Sequence, residues 1–177
     1  PEFIAEFVIG ARQSLVIAGT HGKTTTTALV THLLRHNGVD VGYMIGGVAE
    51  NFSQSAALGS ADVFVIEGDE YDTSIFDPRS KFLSYRPTRA IINNIEFDHA
   101  DIFASIEEIE RTFAYLVKII PQNGALVTNM DNEICCRLAT RSLAPVLTFG
   151  KSEKATYRLL QTQYIQNKMR VTLGYSQ

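Results

Sequence analysis

The sequence holds only two cysteines among its 177 residues, and they are adjacent, Cys135-Cys136. Neighbouring cysteines rarely bridge without strain, and the pair is not a metal-binding spacing. A disulfide-built fold and a cysteine metal site are therefore not expected. The pair is assigned to packing on a helix, and the expected compartment is the reducing cytoplasm. Also missing is any apolar run near the ~20 residues that span a bilayer, and the opening residues show no signal-peptide pattern. No membrane partner is expected. Basic charge is scarce: 16 Lys and Arg against 19 Asp and Glu give a net charge of −3, with no Lys/Arg stripe along a helix face. That removes the footprint of a nucleic-acid binder. The chain shows no internal repeat, no low-complexity tract and no linker. What remains, at 45% hydrophobic residues, is enough to bury one real core.

The richest stretch is Val16-Ile17-Ala18-Gly19-Thr20-His21-Gly22-Lys23-Thr24-Thr25. An apolar strand runs into a glycine-framed loop, then a lysine, a hydroxyl residue and a helix. That order builds a phosphate cradle, with the amides and dipole of the helix N-terminus aimed at the anion. Gly19 and Gly22 let the backbone turn tightly, Lys23 reaches the β- and γ-phosphates, and the Thr24 hydroxyl ligates Mg²⁺. The usual pattern begins with a glycine at the position held here by Ile17. Lys23 is expected to be exposed and to pack against little. The run Thr24-Thr25-Thr26-Thr27 is a poor helix start on propensity, so a functional demand on it is expected.

Strand and helix periods alternate through the first 150 residues. Strands are expected over 14–18, 41–45, 62–67, 89–95, 125–128 and 145–149. Helices are expected over 24–37, with Leu29, Val30, Leu33 and Leu34 inward, over 105–120 behind a Ser105/Glu108 capping box, and over 131–140. The opening residues read as a helix under way. This is the grammar of an α/β fold, a three-layer, mostly parallel sheet covered on both faces. Residues 156–166 and 168–173 then read as two antiparallel strands around Asn167, at the C-terminal end.

Open sheets of this kind bind ligands at the carboxyl ends of their strands. Two further loaded segments fall there, Glu67-Gly68-Asp69-Glu70-Tyr71-Asp72 and Asn94-Ile95-Glu96-Phe97-Asp98-His99-Ala100-Asp101. If their strands neighbour the first, Lys23, Glu67 and His99 meet in one crevice. Glu67, at the rigid strand end, is the best Mg²⁺ ligand, with Asp69, Glu70 and Asp72 as alternatives to it and a solvated acidic loop as the plain reading. His99 fits either a phosphate- or metal-proximal role or a structural histidine. His21 lies inside the phosphate loop, where its imidazole reaches phosphate. His32 and His36, four residues apart on a helix, read as a surface pair. Arg79, Lys81, Arg86 and Arg89 either receive an anionic substrate or neutralise the acidic cluster before them.

At these residues the chain resembles the central, ATP-binding domain of the Mur ligases, the family that makes the amide bonds of peptidoglycan precursors. The resemblance lies in GTHGKTTTT (19–27), IEGDEYD (66–72), NNIEFDHAD (93–101) and ERTFAYLVKIIPQNGALV (110–127). It covers most of residues 1–150. The histidine in the loop and the acidic E-x-D-E-x-D resemble the muramate-directed branch. The basic FDPRSKFLSYRP stretch (76–87) is similar to members that add a tripeptide rather than L-alanine.

By position, the resemblance implies nucleotide contacts at Gly19, Thr20, His21, Gly22, Lys23, Thr24, Thr25 and Asn94. It implies Mg²⁺ ligation by Thr24, Glu67 and His99, with Lys23, Glu67 and His99 as the catalytic set. ATP and Mg²⁺ are the implied cofactors; UDP-N-acetylmuramate and the murein tripeptide L-Ala-γ-D-Glu-meso-diaminopimelate are the implied substrates. Addition of L-alanine is the alternative, and a P-loop switch without ligation the alternative of another class. The implied route passes through an acyl phosphate, which the incoming amine attacks. Thr112 stands where some family members carry a modified lysine, so no such group is expected. Residues 1–177 are expected to form part of the central domain, without the UDP-binding and C-terminal domains, and to be inactive alone.

Overall fold

The computed structural model describes residues 1–74, 76–98 and 103–176. A π-helical segment at Ile4–Ile9 opens the chain, followed by β1 (Gln13–Ala18), α1 (Lys23–His36), β2 (Gly42–Met44), β3 (Ala56–Ala57) and β4 (Val63–Glu67). Next come β5 (Asp72–Ser74), β6 (Asp77–Ser80), α2 (Lys81–Ser84), β7 (Arg89–Ile92), α3 (Ile106–Ile119) and β8 (Ala125–Asn129). The last elements are α4 (Glu133–Ala139), β9 (Val146–Gly150), β10 (Tyr157–Ile165) and β11 (Lys168–Tyr175).

The main sheet has the order β11-β10-β9-β8-β7-β1-β4-β2-β3. Its strands run parallel from β2 through β10, with antiparallel pairing at the edges, β2–β3 and β10–β11. β1 lies between β4 and β7, with Ile17 in register with Glu67 on one side and Ile91 on the other. That placement brings the segments after these three strands to one sheet edge, as the sequence led us to expect. Alternation along β1 feeds two cores. Val16 and Ala18 pack with Ile66, Phe82, Ile92, Phe113, Leu126 and Leu138 on one face, and Ile17 packs with Val41, Tyr43 and Val65 on the other. Helices α3 and α4 lie over the first core and α1 over the second, which makes three layers.

The expected inward face of α1 is half right. Val30 and Leu34 pack on the second core, but Leu29 and Leu33 are 55% and 51% exposed. The residues buried against the sheet are Thr27 and Thr31, both 0% exposed. Threonine is small, so the helix axis comes close to the sheet, and the Thr27 hydroxyl donates to the Lys23 carbonyl at 2.8 Å. Within the threonine run, Thr24 bonds to Glu67 and Thr26 accepts from Asn93, while the Thr27 hydroxyl bonds back onto its own helix.

Several boundaries also shift. The strand expected over 89–95 ends at Ile92, because Asn93 to Glu96 leave the sheet to brace the phosphate loop. The Ser105 box is altered: Glu108 accepts from the Ala104 amide at 2.8 Å, and a hydrogen bond from the Ser105 hydroxyl holds the Glu107 carboxyl below its usual range. Asn132 caps α4 by accepting from the Cys135 amide at 3.0 Å, with Cys135 buried and both cysteines free. The small β5–β6 sheet and α2 had no sequence signal. The tail hairpin forms as expected, turning at Gln166 and Asn167 with φ of 47° and 61°. Among the described residues no helix is long and apolar enough to cross a membrane.

Candidate nucleotide site

The phosphate loop is held in shape from below. The Thr20 amide donates to the Asn94 carbonyl at 2.9 Å, and the Glu96 amide donates to the Thr20 hydroxyl at 2.9 Å. The His21 amide donates to Asn94 Oδ1 at 2.8 Å, and Asn93 Nδ2 donates to Thr26 Oγ1 at 2.9 Å. Gly19 has φ of 129°, and a Cβ there would lie 3.0 Å from the Asn94 carbonyl oxygen, so the loop rests directly on the segment after β7. Gly22, at φ 78°, caps α1 and turns the first helical amides into the loop. A cavity of about 260 Å³ is lined by Thr20, His21, Gly22, Lys23, Thr24, Thr25 and Glu67.

Lys23 is not the exposed side chain expected. Its ammonium donates to the carbonyls of Gly19 at 2.9 Å and Thr20 at 3.2 Å, and meets both Glu70 oxygens at 3.0 and 2.9 Å. The Lys23 side chain is 14% exposed and that of Glu70 2%. Ser80 steadies this carboxylate's backbone by donating from its hydroxyl to the Glu70 carbonyl at 2.7 Å. Glu70 stood among the alternatives for the metal; the structure gives it to the lysine.

Glu67 reaches the loop from the end of β4. Thr24 Oγ1 donates to Glu67 Oε1 at 2.8 Å, and the Gly46 amide donates to Glu67 Oε2 at 2.7 Å. Two hard oxygens at this spacing suit Mg²⁺, since neighbouring corners of an octahedron with ~2.0–2.1 Å bonds lie about 2.8–3.0 Å apart. Among the described residues no three His, Cys, Asp or Glu side chains form a ready cage. Mg²⁺ fits such a sparse set because it keeps several waters and takes phosphate oxygens as ligands. His99 lies outside the described residues.

His21 stands exposed near two carboxylates, Nε2 at 3.8 Å from Glu96 and Nδ1 at 3.9 Å from Asp98. The side chain of Asn94 is spent on the loop backbone, which makes it a brace in this structure rather than an open ligand contact. Thr25 lines the cavity. His32 and His36 stack at 5.9 Å on α1, and His32 Nδ1 pairs with Asn51 Nδ2 at 3.0 Å, as a surface pair should. Of the basic residues, Arg79 is bound to Asp77 at 2.7 and 2.8 Å, and Lys81 to Asp69 at 2.8 Å. The Arg79 guanidinium holds the Asp77 carboxyl below its usual range. Those two cations neutralise acidic neighbours. Arg89 turns away to Gln13. Sequence reasoning missed Gly46 and Asn93 as parts of the site. The glycine pair after β2 and the Asn-Asn pair after β7 were the available signals.

A glycine-framed loop between a strand and a helix of a parallel sheet, with a carboxylate arriving from the neighbouring strand, has the build of a P-loop domain. Residues 17–175 match the Mur ligase middle domain, and the chain belongs to that family. It is similar to the UDP-N-acetylmuramate–L-alanyl-γ-D-glutamyl-meso-2,6-diaminoheptandioate ligase of Escherichia coli strain K12, with 50% identity over 127 residues, 72% of this chain and 28% of the relative. The protein of the same name in Haemophilus influenzae is 45% identical over 133 residues, 75% of this chain and 29% of the relative. The crystal structure of the corresponding ligase from Neisseria meningitides matches with a TM-score of 0.85 at 38% identity, covering 96% of this chain and 57% of that one. The chain thus spans under a third of the length of the curated relatives it matches.

Proposed function

We propose that this chain is the ATP-binding part of a cytoplasmic amide-bond ligase of peptidoglycan recycling, which joins UDP-N-acetylmuramate to L-Ala-γ-D-Glu-meso-diaminopimelate. The observation that carries the nucleotide half is the Thr24–Glu67 contact at 2.8 Å, which sets a metal-suited oxygen pair beside the phosphate cradle. The substrate half is supported by the identity to ligases of that name. The UDP-sugar and C-terminal domains of the family would belong to other parts of the protein.

Lys23, exchanging a loop-carbonyl partner for phosphate oxygens, and the first amides of α1 would hold the terminal phosphates of ATP and draw off charge as the phosphoryl group moves. Thr24 and Glu67 would hold Mg²⁺, with His99 beside a second ion. When bound, Mg²⁺ neutralises phosphate charge and orients the transferred group. Glu70 fixes the ammonium of Lys23, and the braced loop keeps the cradle in shape between turnovers. No residue here is asked to become a covalent nucleophile.

The experiment is phosphate release by the full-length protein with ATP, Mg²⁺ and UDP-N-acetylmuramate, comparing the tripeptide with L-alanine. Release that depends on the tripeptide supports this reading. A preference for L-alanine replaces the amine, and release indifferent to the UDP-sugar overturns ligation.

A further inference from the structure

Gly46 and Gly47 adjoin in sequence but differ in surroundings. The amide of Gly46 donates to Glu67 Oε2 at 2.7 Å while Thr24 donates to Oε1 at 2.8 Å, so one carboxylate is gripped at both oxygens. A Cβ on Gly46 would lie 2.7 Å from Oε2, 3.1 Å from the carboxyl carbon and 3.2 Å from Oε1. A Cβ on Gly47 would meet Thr24 Cγ2 at 3.9 Å, an ordinary contact. Neither glycine has φ in the left-handed region, so the backbone does not require glycine at either place. The requirement at 46 is spatial. It concerns the carboxylate whose other oxygen, Oε1, meets Thr24.

We infer that Gly46 is a positioning residue for the metal site: its amide orients the Glu67 carboxylate, and its missing side chain leaves that carboxylate room beside Thr24. The inference rests on the reading of Glu67 as a Mg²⁺ ligand. A carboxylate at a strand end has free torsions of its own. An N–H on one oxygen fixes its plane, and the other oxygen is then presented next to the threonine hydroxyl. Any side chain at 46 must push the carboxylate off that line. Partners that orient a metal ligand typically matter by 10–100-fold in affinity.

The test uses the full-length protein with ADP and Mn²⁺ as the spectroscopic stand-in for Mg²⁺. Mn²⁺ affinity is read by electron paramagnetic resonance, and thermal melting is recorded without metal. Gly46→Ala should weaken Mn²⁺ binding about tenfold or more, while Gly47→Ala stays within about twofold of the unmodified protein. Both variants should melt close to it. Glu67→Ala calibrates the readout. If Glu67→Ala keeps full Mn²⁺ affinity, the ligand reading of Glu67 falls, and the inference with it. If Glu67→Ala loses affinity while Gly46→Ala keeps it, the positioning inference alone is overturned. Equal losses in both glycine variants, or a Gly46→Ala protein that fails to fold, would likewise overturn it, because the turn and not the carboxylate would then need the glycines.

Discussion

Lys23 and Glu70 form an ion pair across 47 residues of chain, with the ammonium 3.0 and 2.9 Å from the two carboxylate oxygens and the carboxylate 2% exposed. The phosphate-loop lysine is thus part of the packed structure as well as of the site. Its three donors are occupied, two by the loop's own carbonyls.

Lys23→Ala should therefore cost stability in addition to activity. Removing one partner of a buried pair costs about 3–5 kcal/mol, and the 14% exposure of the lysine places this case at the lower end or below. Urea denaturation should show that loss, and Lys23→Ala/Glu70→Gln should recover part of it. Ligation by the full-length protein should stay at least ~10²-fold down in both variants. A double variant with restored activity would contradict the assigned role of the lysine.

The two buried threonines of α1 should behave differently. Thr27 gives its hydroxyl to the Lys23 carbonyl, whereas Thr31 Oγ1 has no hydrogen-bond partner among the described residues. Thr31→Val should be neutral or stabilising, and Thr27→Val should cost about 1 kcal/mol. Denaturation midpoints of the two variants decide this, and the reverse order would refute it.

Burial pushes the Cys135 thiol up to about 11 from its ordinary 9.0. The folded state holds that proton more tightly than the unfolded one, so the linked stability is present below pH 9 and is lost as pH rises from 9 to 11. At pH 8 the folded protein should leave Cys135 unmodified by iodoacetamide, and urea should expose it. Mass mapping of the alkylated peptide reads the outcome; ready labelling of Cys135 in the folded state would contradict its burial.

The 177 residues by themselves should form no amide bond. In-line attack needs the muramate carboxylate held against the transferred phosphoryl group, and a misplacement of about 1 Å costs ~10²-fold. Incubation with ATP, Mg²⁺, UDP-N-acetylmuramate and the tripeptide should yield no conjugate by mass. Turnover above a Lys23→Ala control would place the substrate site within these residues.

The parts of the fold that could be read from sequence are those fixed by local pattern. β1, β4, β7, β8 and β9 are short apolar runs between turn residues, and the loop at 19–24 is a contiguous motif, so each announces itself. Glu67 was legible because a strand end fixes where its side chain emerges. Leu29 and Leu33 misled because apolar spacing says nothing about residue size, and the sheet selected the smaller threonines for close approach. The Lys23–Glu70 pair and the Gly46–Glu67 contact join residues 47 and 21 positions apart, so no local window contains them. β5, β6 and α2 are three or four residues each, too short to show a period; β5 and β6 pair with each other, and Phe82 of α2 packs against Phe113 of α3.

The bolting of Thr20 and His21 to Asn94 and Glu96 has a calorimetric consequence. A loop already ordered by the segment after β7 loses little backbone freedom when a ligand arrives, and buries little new apolar surface. Phosphate capture at this cradle should then carry a small heat-capacity change and a favourable enthalpy, and its association rate should follow ionic strength rather than a slow rearrangement. The order that other loops acquire on binding is, in this chain, acquired when the sheet folds.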